Sequence, residues 1–177
     1  MHKINLYSAL ALLALSASAQ ADPDSTQLAV WANEAIVATY SYDFKNYLPR
    51  QREIAKYFTA PGWTAYSAAL NASKLPEVVQ KNSYFVNAVA TLPPEIKTLS
   101  PGQWQATMPL LVVYRNPQYQ QKQTLEVTIH FAQAPSGQGV RGFSINGLQS
   151  KVTQPACQCQ PEDATTTADI PLSSDAK

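Results

Sequence analysis

The sequence is poor in the residues that usually carry chemistry. Its 177 residues include two cysteines and two histidines. Both cysteines, Cys157 and Cys159, sit near the C-terminal end, so no disulfide framework spans the chain and the core alone must hold the fold. No H-x-x-x-H, C-x-x-C or D-x-D-x-D string occurs, so no structural metal and no cofactor are expected. No phosphate-binding loop and no G-x-S-x-G elbow is read either. Charge is sparse, at 14% of residues, with 13 basic and 12 acidic side chains. Such a balance argues against nucleic acid, which requires a basic face.

Long apolar runs are also missing. The most apolar stretch, Leu6 to Leu15, is interrupted at Ser16, about half of the roughly 20 residues a membrane span needs. Lys3 precedes it and Ala19-Gln20-Ala21 follows it. That order is the pattern of a secretory signal peptide. Residues 1–21 are therefore read as a cleaved leader, and 22–152 as one exported domain without a permanent membrane anchor. Removing Lys3 leaves 12 basic and 12 acidic side chains, a neutral body with little repulsion against self-association.

What is present is patterned apolar surface. Leu28, Trp31, Ala32, Ala35, Thr39 and Tyr42 fall at helical spacing, with Asp24 and Gln27 placed as a capping box. The spacing predicts a helix reaching Lys45 or Leu48, where Pro49 stops or bends it. A second short helix is predicted over Arg50–Phe58. A third opens at Thr59, which caps it, with Pro61 in its first turn. From Ser83 the period becomes two. Strands are predicted at Tyr84–Val89, Trp104–Tyr114, Thr124–Ala132 and Val140–Leu148. In the second, Trp104, Ala106, Met108, Leu110, Val112 and Tyr114 share one face, and Pro109 demands a bulge or an unpaired edge. In the third, Leu125, Val127, Ile129 and Phe131 point inward. Pro135 to Gly139 is read as a connection, and Gly142 and Gly147 as bend or bulge positions. Helices followed by an antiparallel meander predict an α+β fold with N-terminal helices packed on a four-stranded sheet. Residues 153–177, rich in Pro, Thr, Ser and Asp, lose periodicity and are read as a disordered tail.

Candidate sites are few. His130, the one imidazole outside the leader, lies on the outward face of its strand with no supporting Ser, Cys or carboxylate, and is read as a solvated or partner-contacting residue. Tyr114 and Tyr119 are candidate partner contacts. In an oxidising compartment Cys157 and Cys159 do not stay free. The options are a strained internal bridge, a bridge to another chain and a copper(I) site, in that order. Nothing in the pattern points to catalysis.

Three blocks, WANEAIVATYSYDFKNY (Trp31–Tyr47), YFTAPGWTAYSAAL (Tyr57–Leu70) and MPLLVVY (Met108–Tyr114), resemble the IcmL/DotI family of type IVB (Dot/Icm) secretion components, relatives of the conjugation protein TraM. The resemblance implies a curved, cone-like sheet of the nuclear-transport-factor-two type. It also implies a non-enzymatic periplasmic role in assembly, other secretion proteins as partners, and a homo-oligomeric state. It carries over no catalytic residue, and Tyr57, Phe58 and Trp63 carry over only as packing that fills the cone. The leader in place of an anchor and the tail with its two cysteines set this chain apart from that pattern. Two alternatives stand beside it: a small-molecule-binding or enzymatic cone-fold protein, and a thiol or copper protein acting through Cys157 and Cys159.

Overall fold

The computed structural model describes residues 23–159, with side chains through Pro155. Its first element, α1 (Ser25–Thr39), buries Leu28, Trp31, Ala32, Ala35 and Thr39 as the spacing predicts, and Ile36 besides. Asp24 takes the cap position, but its side chain makes no capping hydrogen bond. The helix ends at Thr39, short of the predicted Lys45 or Leu48. The chain instead enters a two-residue strand, β1 (Tyr42–Asp43), and then α2 (Tyr47–Ala55). The break has a long-range cause. Arg50 of α2 folds back and donates to the carbonyls of Ala38 (3.3 Å), in the last turn of α1, and of Ser41 (3.0 Å), just past its end. The Asp43 carboxylate accepts from the amides of Lys45 and Asn46 and turns the chain into α2. Pro49 thus falls in the first turn of α2, where no amide is needed, and stops nothing.

Two more helices follow, α3 (Ala60–Ala72) and the unpredicted α4 (Leu75–Lys81). Thr59 caps α3 as expected, its Oγ1 accepting from the Gly62 amide at 3.2 Å. Five strands complete the sheet: β2 (Phe85–Ala90), β3 (Glu95–Ser100), β4 (Gln103–Asn116), β5 (Tyr119–Gln133) and β6 (Phe143–Cys159). All are antiparallel, in the order β1-β2-β4-β5-β6, with β3 also on β4. The α+β architecture is the one predicted, with a strongly curled sheet. Among the described residues the strand count is six rather than four.

The predicted faces of the central strands hold. Ala106, Met108, Leu110 and Val112 of β4, and Val127 and Ile129 of β5, are fully buried. Pro109 lies where one edge of β4 passes from β3 to β2: Thr107 pairs with Glu95, and Leu110 with Ala90. Its carbonyl accepts from Thr91 at 3.1 Å on that same side. The missing N–H therefore points into the gap between two partner strands and costs no ladder bond to β5.

The final strand corrects the sequence reading at both ends. It begins at Phe143 instead of Val140 and continues past Leu148 to Cys159. Residues 153–159 are thus part of β6 rather than of a disordered tail, paired as far as Gln120 with Cys159. Residues 160–177 lie outside the described ones, as does the predicted leader. The register of β6 on β5 shifts near His130, Leu125 and Thr124. Each shift leaves an extra residue on β6, and such bulges bend a strand. One of them, at Asn146, adjoins the predicted Gly147. Gly137, Gly139 and Gly142 all have positive φ in the β5–β6 connection. Together they spell G-x-G-x-x-G, but a strand follows rather than a helix, so no helix N-terminus is there to meet a phosphate.

Packing assigns the aromatic rings to two clusters. Trp31 of α1 stacks on Phe131 at 4.9 Å and meets Phe143 at 5.5 Å, with Trp104 5.6 Å from Phe131. Its Nε1 donates to the Val140 carbonyl at 2.8 Å. This cluster fills the centre of the curl. Tyr57 of the Tyr57–Leu70 block joins it, its ring 6.3 Å from Trp31, while the block's other rings sit elsewhere. Phe58, Trp63 and Tyr66 pack against one another at 5.1–5.8 Å beside β6, and of the three only Phe58 is buried. They close the side of the cone rather than plug its middle.

Candidate binding cleft

The docking of α3 on the sheet begins with two backbone bonds. Ile145 of β6 donates to the Tyr57 carbonyl at 2.7 Å and accepts from the Thr59 amide at 3.0 Å. This short pairing brings Gly62 against the strand so closely that a Cβ there would lie 2.6 Å from the Ile145 carbonyl oxygen. Past this contact α3 leaves the sheet, and a cleft of about 760 Å³ opens between them. Leu70 and Leu75 line its helical wall, and Leu125, Leu148 and Val152 its sheet wall.

Four phenols stand among the polar groups of the cleft, beside Ser73, Gln123, Gln149 and Ser150. Tyr40 enters from the end of α1, Tyr42 from β1, Tyr66 from α3 and Tyr114 from β4. The Tyr66 hydroxyl reaches the Thr39 carbonyl at 3.4 Å. Burial raises all four above the ordinary tyrosine value. Tyr114 is pushed up to about 12, first by burial and then by Tyr40. Tyr42 is raised by burial and then by Tyr114, Tyr66, Tyr47 and Tyr40, whose phenolates would repel its own. For Tyr40, burial outweighs a hydrogen bond with Ser150 that acts the other way. Near neutral pH these hydroxyls stay protonated. They donate and accept hydrogen bonds but do not act as bases.

His130 also lines the cleft, and its Nε2 lies 3.1 Å from the Gln105 Oε1. No carboxylate lines the cleft among the described residues. The combination that would mark an acid–base site, an acid with Tyr and His in one cavity, is therefore incomplete. Among the described residues no group of three or more His, Cys, Asp or Glu is placed to hold a metal.

The candidate residues from the sequence are brought together only in part. Tyr114 lies inside the cleft with His130, not on an open strand edge. Tyr119 sits at the β4–β5 turn, its hydroxyl donating to Gln121 at 3.0 Å. Tyr84 links it to Tyr114, with rings 6.1 Å and 6.3 Å away. The backbone of Cys157 and Cys159 pairs with Lys122 and Gln120 of β5. Sequence reasoning missed Tyr40 and Tyr66 as site residues. The one signal was Tyr40-Ser41-Tyr42, where the helical stripe breaks and two rings flank a small residue.

Comparison with known proteins agrees with this architecture. Residues 10–152 match the family model of the type IVb secretion-system inner-membrane complex component DotI/IcmL. An IcmL-like type IV secretion system protein of Legionella pneumophila is 67% identical, with a TM-score of 0.74 over 78% of this chain and all of its own. The periplasmic domain of DotI is 27% identical, with a TM-score of 0.68 over 75% of this chain and 98% of its own. CagV of Helicobacter pylori, a VirB8 homologue, is 12% identical and shares the fold, with a TM-score of 0.59 over 72% of this chain and 98% of its own. No curated protein matches.

Proposed function

The chain belongs to the DotI/IcmL family of type IVb secretion-system inner-membrane complex components, and from that membership we propose that it is a non-enzymatic periplasmic assembly component that docks other secretion proteins. The observation that carries this reading is the cleft. Its walls carry aliphatic side chains, its polar groups are four protonated phenols with serine hydroxyls and glutamine amides, and no carboxylate stands beside its one imidazole. Such a lining suits an extended segment of a partner with apolar or aromatic side chains, held by a few hydroxyl hydrogen bonds. The 27% identity to the periplasmic domain of DotI supports the compartment. Among the described residues no helix is long and apolar enough to cross a membrane.

The test is recovery of partners from native cells. A tagged chain crosslinked in its own bacterium is expected to bring down inner-membrane subunits of the secretion apparatus, and Tyr66→Ala to weaken that recovery. Recovery of no secretion subunit by the unaltered chain overturns the proposal. A second reading rests on cleft size. A volume of about 760 Å³ falls within the range of small-molecule sites. Binding of a small aromatic compound that shifts the Tyr66 and Tyr114 resonances would favour it.

A further inference from the structure

The two cysteines occupy a strand, and that changes which bridge they can make. β6 is extended through Cys157-Gln158-Cys159, with Cys157 opposite Lys122 and Cys159 opposite Gln120. Residues two apart in a strand are separated by roughly 6.6 Å, and because they share a face their Cβ atoms keep about that spacing. A disulfide requires Cβ atoms about 3.5–4.5 Å apart. The internal bridge ranked first from the sequence is therefore incompatible with the strand.

The same strand offers another partner. β6 is the last strand of the sheet order. Its outer edge is met by the Tyr57–Thr59 segment at Ile145. Beyond that point no described segment pairs with it. The described end of this edge, Pro155-Ala-Cys-Gln-Cys159, carries no charge, and its Cys157-Gln158-Cys159 is symmetric about Gln158. Two copies laid antiparallel with Gln158 opposite Gln158 place Cys157 of each opposite Cys159 of the other. Directly opposed residues of an antiparallel pair have Cα atoms about 4.5–5.5 Å apart, inside the disulfide range. No like charges meet. A two-fold axis through the Gln158 pair is the symmetry a homodimer most often adopts.

We propose that the Cys157-Gln158-Cys159 edge of β6 is a dimer clasp, in which a second copy of this chain pairs antiparallel and two Cys157–Cys159 disulfides join the copies. Each bridge breaks two S–H bonds and forms one S–S bond. The two electrons and two protons pass to a disulfide-donating oxidant, whose own S–S bond opens to a dithiol. The need for such an oxidant rests on the periplasmic reading above.

The experiment supplies the oxidant and so separates the two readings. The purified full chain is treated with oxidised glutathione and followed by non-reducing gel and intact mass. The expected product is a dimer four hydrogens lighter than two chains, returned to monomer by dithiothreitol. In the proposed register, Cys157→Ser alone and Cys159→Ser alone each leave a thiol opposite serine, and the dimer band falls to background. Mixing the two variants restores a covalent dimer, two hydrogens lighter than its two chains. Circular dichroism of each variant should match the unaltered chain, since the substitutions lie on a strand edge. An oxidised product that stays monomeric overturns the clasp, whether internally bridged, capped by glutathione or unchanged. So does a single variant that crosslinks as well as the unaltered chain. Failure here leaves the docking role untouched, and failure to recover secretion subunits leaves the clasp untouched.

Discussion

At Gly62 the missing side chain is what permits α3 to lie on β6. A Cβ would meet two backbone oxygens, of Ile145 at 2.6 Å and of Asn146 at 3.0 Å. Neither can rotate away as a side-chain end would. Gly62→Ala is therefore expected to destabilise the protein by about 1–3 kcal/mol, the usual cost of overpacking. Urea denaturation reads this directly, and an unchanged midpoint would refute the close approach. The aromatic block around Pro61-Gly62 was legible as packing because its rings recur at helical spacing. That its glycine is the contact itself was not legible, because the obstructing oxygens belong to residues far along the chain.

Among the elements, α3 and β6 depend most on each other. The helix starts where the Thr59 hydroxyl accepts from Gly62, while the Thr59 amide donates to Ile145. One residue thus joins the cap of a helix to the edge of a sheet. Thr59→Ala should cost about 1 kcal/mol and speed hydrogen exchange at the Gly62 amide, whereas Thr59→Ser should restore both. Equal exchange in all three proteins would show that the cap is idle. Strands β4 and β5 were readable from alternation because each has one face on the core. β3 was not, since Glu95–Ser100 is mostly exposed and carries no alternating pattern. The far half of β6 was missed for the same reason: residues 149–155 are all exposed. Their strand form comes from backbone pairing with β5, which any side chain allows.

Over the whole molecule the buried phenols couple stability to alkaline pH. Tyr40, Tyr42, Tyr66 and Tyr114 all have raised folded values against 10.0 in the unfolded chain, Tyr114 at about 12. Below pH 10 both states hold these protons, so their contribution is complete. Above it the unfolded chain loses protons that the folded one keeps, and stability falls as pH rises toward 12. The urea midpoint should be flat up to about pH 9 and decline steeply beyond pH 10. Replacing Tyr114 by Phe should make that decline shallower. A decline of the same steepness in Tyr114→Phe would remove this residue from the account. By itself the sequence determined the α+β order, the stripe of α1, the inward faces of β4 and β5 and the Thr59 cap, because each is written in local spacing and local hydrogen bonds. Only the tertiary structure decided where α1 ends, how far β6 runs, and that Tyr40, Tyr66 and Tyr114 converge on one cleft. Those outcomes depend on backbone groups and rings meeting across long stretches of chain, and contacts of that kind leave no period in the residues that make them.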